Sequence, residues 1–408
     1  MNPKIRVQLS AMMFLEFFIW GSWFVTMGIY LPNTLKSSGG EIALAYSTQS
    51  WGAILAPFII GLIADRYFNA ERILGVIHVM GAILMYLLYC ATDFTLFYPL
   101  LLGYMIMYMS TLALVNSISF NQMKDPGKQF PKVRVFGTLG WIAAGSLISY
   151  FNWDSQAGIS EGILRNTFLM AAISSALLGV FSFTLPKTPP TVDSTKKRSL
   201  SDILGLDALK LLNDKNFLIF FLASVLICIP LAFYFQHAGQ FLGEVGVTNP
   251  AGKMTLGQWS EILFMLLLPF FFKRFGFKNT ILIAMLAWGL RYISFAYGNA
   301  GELSFLLLIG ITLHGICYDF FFVSGQIYTD TKAGETYKSA AQGLITLATY
   351  GIGMLIGFWI AGKITDAYSI AEGSHDWATI WMYPAGFAFI VLLLFALLFK
   401  NEKIAYKS

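Results

Sequence analysis

Residues 254–272 read MTLGQWSEILFMLLLPFFF, between Lys253 and Lys273. As an α-helix this stretch would span about 28 Å at about 1.5 Å per residue, close to the thickness of a bilayer's hydrocarbon core. It is too long and too continuously apolar for a tilted barrel strand, which needs only about 10 alternating residues. Its one charged residue is Glu261. An ionised carboxylate in hydrocarbon is costly, so it usually faces a partner, a proton path or a water-filled cavity. Glu16 in 7–35 and Asp319 in 303–329 repeat the pattern. Three such carboxylates point to a polar site inside a membrane protein.

The rest of the chain has the same character. Twelve apolar segments are expected to be helical spans: about 7–35, 42–64, 73–92, 94–123, 133–153, 166–186, 215–243, 254–272, 279–300, 303–329, 338–363 and 377–399. Of the 408 residues, 57% are hydrophobic and 12% charged, against roughly 25% charged in soluble domains. That balance excludes a large soluble core. The 37 Phe, 19 Tyr and 10 Trp suit lipid-facing and interfacial surfaces. The net charge of +5 gives no argument for nucleic acid, because the basic residues are confined to short loops. The opening MNPKIR leads into an apolar run with no small-residue cleavage site, so a retained first span is expected. Cys90, Cys228 and Cys317 lie in apolar stretches without metal spacing and read as packing residues.

Orientation follows from lysine and arginine. With the N-terminus inside, the outer loops hold only Lys36, Arg165 and Lys253, and Arg134, Arg291 and Lys363 lie in or at the ends of spans. The others of the 27 basic residues fall in inner loops and tails, as the positive-inside rule requires. Both termini are therefore expected in the cytoplasm.

The longest polar stretch, 187–214, reads as a flexible linker ending in SLSDILGLDALKLL, whose apolar spacing suits a helix along the inner surface. It divides the chain into six-helix halves at 1–186 and 215–408. A weak repeat supports the division: APFIIGLIADRYFNAERIL after the second segment and LPFFFKRFGFKNTIL after the eighth. Two related halves are the plan of a class of secondary transporters with a midplane site between them.

Several residues are candidates for that site. Gln258 and Glu261 are three apart and share a helix face. His314 and Tyr318, four apart, share another, with Asp319 about 100° further round. Arg134 and Thr138 share a face at the start of the fifth segment; Arg134 either snorkels to the inner surface or serves as a counter-ion. Arg291 reads as a structural pairing residue. Glu16 is either a second titratable site or a carboxylate paired near the inner interface. The facing of Asn116, Asn121, Gln122, Gln236, His237 and Gln240 is open. No Walker loop, GxSxG or HExxH is present, so ATP-driven transport and soluble-enzyme chemistry are not expected, and neither is a cofactor or metal.

The loop GLIADRYFNAER resembles, in shortened form, the GxxxD(R/K)xx(G)RR-type loop of the major facilitator superfamily. That resemblance assigns Asp65 and Arg66 to a conformational latch; the plain alternative is an ordinary basic loop. Over nearly its whole length the chain resembles the nucleoside:proton symporter family of that superfamily, the bacterial nucleoside permeases. The likeness is carried by FLEFFIWGSWFVTMGIY, FPKVRVFGTLGW, ILGLDALKLL, QWSEILFMLLLPFFFKRFGFKN, AWGLRYISFAYG, GICYDFFFVSGQIY, SAAQGL and AGKITD.

The resemblance implies an all-α fold of twelve transmembrane helices in two halves. It also implies uptake of a purine or pyrimidine nucleoside with protons across the bacterial inner membrane, by a monomer. It implicates Arg134, Thr138, Gln258, Glu261, Tyr318 and Asp319 in the site, with His314 where Tyr is usual. Glu261 is the first candidate for proton carrier, with Asp319 and Glu16 behind it. Tyr318 and Phe321 are expected to pack on the base. Ala232 and Phe235 replace amide-type residues, and Glu16 replaces an uncharged Gln. Those departures keep open a proton-coupled carrier of another polar solute, such as a sugar or peptidoglycan fragment. From a different class, a substrate-sensing membrane protein is the remaining alternative.

Overall fold

The computed structural model describes residues 2–59, 68–124, 129–189, 206–371 and 374–402. Asp65, Arg66 and most of the 187–214 linker lie outside the described residues. Helix occupies the greater part of every expected segment within them.

In the first half the long helices are α1 (Pro3–Thr34), α2 (Gly39–Ile59), α3 (Ala70–Cys90), α4 (Phe94–Asn121), α5 (Pro131–Tyr150) and α6 (Asn166–Ser182), with a short helical turn at Gln156–Ser160 before the last. In the second they are α7 (Lys215–Glu244), α8 (Pro250–Tyr297), α9 (Ser304–Thr312), α10 (His314–Tyr318), α11 (Ser324–Thr346), α12 (Met354–Ala367) and α13 (Trp377–Leu398). Two π-helical stretches, Asp319–Val323 and Leu347–Gly353, are continuous with the helices beside them. Of the expected surface helix, Leu206–Asn213 is described, as 3₁₀ turns.

The ends follow local chemistry. Pro3, Pro131 and Pro250 stand in the first turns of α1, α5 and α8, where no N–H partner is needed. Asp93, Asp214 and Asp376 cap α4, α7 and α13 by accepting from the backbone N–H three residues on. Inside α8, Gly276 takes φ 76° and ψ 175°, which interrupts the helix between its two arms. Those arms hold the eighth and ninth expected segments.

Among the described residues, nine helices are long and apolar enough to cross a membrane. The Gly276 break makes one of them two segments. α2 and α5 fall in the second and fifth segments and carry more polar side chains, among them Gln49, Arg134 and Thr138. Leu177, Val180, Leu266, Phe270, Leu393 and Leu397 are exposed, as lipid-facing side chains must be.

The chain forms two compact units, Met1–Ser37 with Leu44–Leu204, and Ser38–Ala43 with Gly205–Ser408. In the first, α1 packs on α5 and α6, and α3 on α4 and α6. Glycines permit the α1–α5 crossing: a Cβ at Gly140 would lie 2.1 Å from Phe14 O, and one at Gly21 would lie 3.0 Å from Trp141 Cα. In the second unit, α8 packs on α10 and α13, and α7 on α12 and α13. Cys228 and Cys317 are buried as expected, whereas Cys90, the last residue of α3, is exposed.

Candidate functional site

In the second unit the α8–α10 crossing is built on two glycines. A Cβ at Gly315 would lie 2.5 Å from the Ser260 carbonyl group, and one at Gly257 would lie 3.2 Å from His314 Cβ. Ser260 stitches the crossing: its Oγ donates to Thr312 O at 2.6 Å and accepts from Gly315 N at 2.9 Å. Glu261 and His314 are thereby placed side by side, with Oε2 3.9 Å from Nε2. His314 is buried, while the Glu261 side chain keeps 12% of its surface open. Gln258, one turn away on the same face, is half-buried.

Arg291, on the other arm of α8, is fully buried. Its guanidinium lies 3.3 Å from the centre of the Tyr234 ring, and Nη1 is 3.2 Å from His314 Nδ1. A guanidinium can only donate, so Nδ1 accepts and the proton of a neutral His314 resides on Nε2, directed at Glu261. The expected pairing role of Arg291 thus has a definite partner in the histidine. Tyr234 stacks on His314 at 5.4 Å, and the Tyr318 ring lies 5.6 Å from it. The Tyr318 and Tyr350 hydroxyls are hydrogen bonded to each other.

Asp319 is fully buried and opens the π-helical stretch. Phe321 is 1% exposed and packs on Trp288 and Phe220, so in this structure its ring belongs to the packing of the second unit and has no face for a base. Tyr318 is half-buried, with the Phe322 ring 4.8 Å away.

In α7, Ala232 is fully buried, and a Cβ at Gly357 would approach its Cβ to 2.6 Å. Position 232 therefore abuts α12, and a longer amide side chain would collide there. The fully buried amide in this stretch is Gln236. His237 Nε2 is 3.0 Å from Thr365 Oγ1 and its Nδ1 is 3.2 Å from Gln240 Oε1; Gln240 in turn donates to Glu244 at 2.9 Å. Those polar residues form a chain along α7. In α4, Asn116 is half-buried and Asn121 exposed, and Gln122 Nε2 is 3.2 Å from Asn121 Oδ1.

In the first unit, Arg134 stacks over Phe17 with Cζ 4.0 Å from the ring centre. Gly137 leaves the room for this: a Cβ there would lie 2.7 Å from both Arg134 Nη1 and Phe17 Cδ2. Arg134 is half-buried and Thr138 is 6% exposed. Glu16 is fully buried and paired with a histidine that sequence reading passed over. Its Oε2 lies 2.9 Å from His78 Nε2, and its Oε1 is 2.6 Å from Thr111 Oγ1. Tyr108 donates to Glu16 O at 2.7 Å. The available signal was that His78 is a lone imidazole in an otherwise apolar α3 segment.

Known proteins share this arrangement of helices. The sequence profile of the family described as Nucleoside H+ symporter matches residues 3–404. The chain is 45% identical to the putative nucleoside transporter YegT of Escherichia coli K12, over 98% of this chain and 95% of that protein. It is 33% identical to the xanthosine permease of the same strain, over 99% of each. The crystal structure of nucleoside transporter NupG matches with a TM-score of 0.86 at 31% identity, covering 98% of this chain and 100% of that one. The peptide-transporter-family structure of PepTSo, at 15% identity and a TM-score of 0.73, shares the fold alone. The fold is the all-α membrane fold of the major facilitator superfamily. Within it, by profile match and identity over nearly its full length, the chain belongs to the nucleoside:proton symporter family.

Proposed function

We propose that this protein carries nucleosides inward with protons, by alternating access, as a monomer with twelve spans in the bacterial inner membrane and both termini in the cytoplasm. It is a transporter and not an enzyme. The observation that carries the site assignment is the carboxylate of Glu261, 12% exposed, beside Gln258 and facing a neutral imidazole lined by aromatic rings.

A nucleoside offers a flat base and ribose hydroxyls. Tyr318 supplies a ring face for the base, and Gln258 and Thr138 supply hydrogen-bonding groups for polar edges. His314 presents its Nε2–H toward Glu261 and holds the carboxylate's partner side fixed through Arg291. Glu261 carries the proton: protonation removes the desolvation cost of a charge in a dry site, which ties proton entry to the conformation that closes the site. Asp319 is too buried here to meet the solute directly and supports the site from behind. Arg134 contributes a fixed positive charge in the first half.

Uptake of labelled uridine and adenosine into proteoliposomes, with and without an imposed inward proton gradient, tests the function. Concentrative uptake is expected only with the gradient; equal uptake in both conditions refutes proton coupling. Competition by sugars stronger than by nucleosides would transfer the site to another solute. Glu261→Gln is expected to bind and exchange uridine while losing accumulation. Unchanged pH-dependent accumulation in that variant removes Glu261 as carrier.

A further inference from the structure

We propose that Glu16 and His78 form a second proton-binding site, within the first half, whose proton holds α1 against α3 and is exchanged during the transport cycle. The argument is donor counting. Ser175 Oγ donates its single hydrogen to His78 O at 2.9 Å. Its contact with His78 Nδ1, at 3.1 Å, must then be an accepted bond, so Nδ1 carries a hydrogen. The other ring nitrogen, Nε2, lies 2.9 Å from Glu16 Oε2. Two lone pairs cannot face each other at hydrogen-bond distance, so one proton lies between them, on one atom or the other. With that proton the pair is neutral overall. Without it, a bare carboxylate would be buried against a nitrogen lone pair, and α1 and α3 would have to part.

The remaining carboxylate oxygen lies 2.6 Å from Thr111 Oγ1, a hydroxyl that is also 2.6 Å from Tyr108 O. The site is therefore fixed on three sides, by α3, α4 and α6. The titratable and charged groups around it are His78 on α3, Tyr104 and Tyr108 on α4, and Arg134 on α5, stacked over Phe17. α6 contributes Ser175 and no titratable side chain. Glu16 is 0% exposed and His78 2% exposed, so the proton is occluded in this state. Its loss is linked to movement of α1 relative to α3, which is what a coupling site needs and what a surface ion pair lacks.

The inference deepens the proton-coupling reading and is independent of which solute is carried. The first measurement accordingly uses no solute. A pH jump is applied to the purified full-length protein in detergent, and the protons taken up are counted with an indicator dye. Wild type is expected to bind one proton more per molecule than Glu16→Gln over the interval in which transport is activated. Equal counts overturn the proposal, even if the variant is less stable, because a purely structural pair would behave that way.

The second measurement needs no variant at Glu16. The protein has four histidines, and ¹⁵N-histidine labelling, assigned with His78→Gln, reports the protonation of the His78 ring. A His78 signal that responds to pH over the same interval supports the site, and one that stays constant overturns it. In proteoliposomes, the pH at half-maximal uridine uptake is expected to move in both Glu16→Gln and His78→Gln. Superimposable profiles overturn a role in the cycle.

Discussion

Replacing Gly315 by Ala tests whether the α8–α10 crossing sets the distance between Glu261 and His314. The new Cβ would lie 2.5 Å from Ser260 C and O and 2.6 Å from Glu261 N, all backbone atoms that no rotamer change can move. Ordinary carbon contacts begin near 3.5 Å, so the two helices must part by about 1 Å. Overpacking of this kind costs about 1–3 kcal/mol. Parting also stretches the 2.9 Å and 2.6 Å bonds through Ser260, each worth about 0.5–1.5 kcal/mol. The expected loss is about 2–6 kcal/mol, seen as a fall of several degrees in the thermal unfolding midpoint of the purified protein. The same displacement takes Glu261 and His314 beyond their 3.9 Å approach, so the pH dependence of uptake should change along with stability. Gly343→Ala is the control: a Cβ there meets nothing within 4 Å, and a helical Gly→Ala change should be neutral or stabilising. If Gly315→Ala matches wild type in unfolding midpoint and in pH profile, the crossing does not position the site.

Arg291→Lys keeps the charge but loses the planar fork that reaches both Tyr234 and His314. It should weaken solute binding and alter the ¹⁵N signals of His314, whereas an unaltered His314 spectrum would show that the arginine does not set the tautomer. Gly276→Ala forces a side chain into φ 76° and ψ 175°, a region open essentially to glycine alone; the cost should be about 1–3 kcal/mol, read in the unfolding midpoint. Gly140→Ala would put a Cβ 2.1 Å from Phe14 O and should destabilise the α1–α5 crossing by about 1–3 kcal/mol, with a lower midpoint than Gly103→Ala, whose Cβ meets nothing within 4 Å.

The spans were legible because hydrocarbon is an unforgiving solvent: every backbone polar group must be satisfied within the helix, so long apolar runs have one reading. Helix-face pairs were legible for the same geometric reason, and Gln258 with Glu261 behaves as spacing required. Distances between helices were not. They are set by Gly315, Gly257, Gly137 and Gly140, whose effect is visible only once the facing backbone is known. Nor was the π-helical stretch that opens at Asp319, which no sequence spacing marks. Phe321, expected as an aromatic ring to pack on the base, turns instead into Trp288 and Phe220.

His78 shows the limit most clearly. It lies 62 residues from Glu16, in a run so apolar that one imidazole barely marks it. The two glutamate–histidine pairs also carry opposite logic that no spacing encodes. Ser175, having spent its hydrogen on a carbonyl, accepts from His78 Nδ1 and leaves Nε2 to share a proton with Glu16 at 2.9 Å. Arg291, able only to donate, makes His314 Nδ1 an acceptor and directs an Nε2–H at Glu261 across 3.9 Å. In each pair the partner of the far nitrogen decides what the near nitrogen offers the carboxylate. The first pair is closed around its proton; in the second the imidazole already carries a hydrogen on its Glu261 side, and the Glu261 side chain keeps 12% of its surface open.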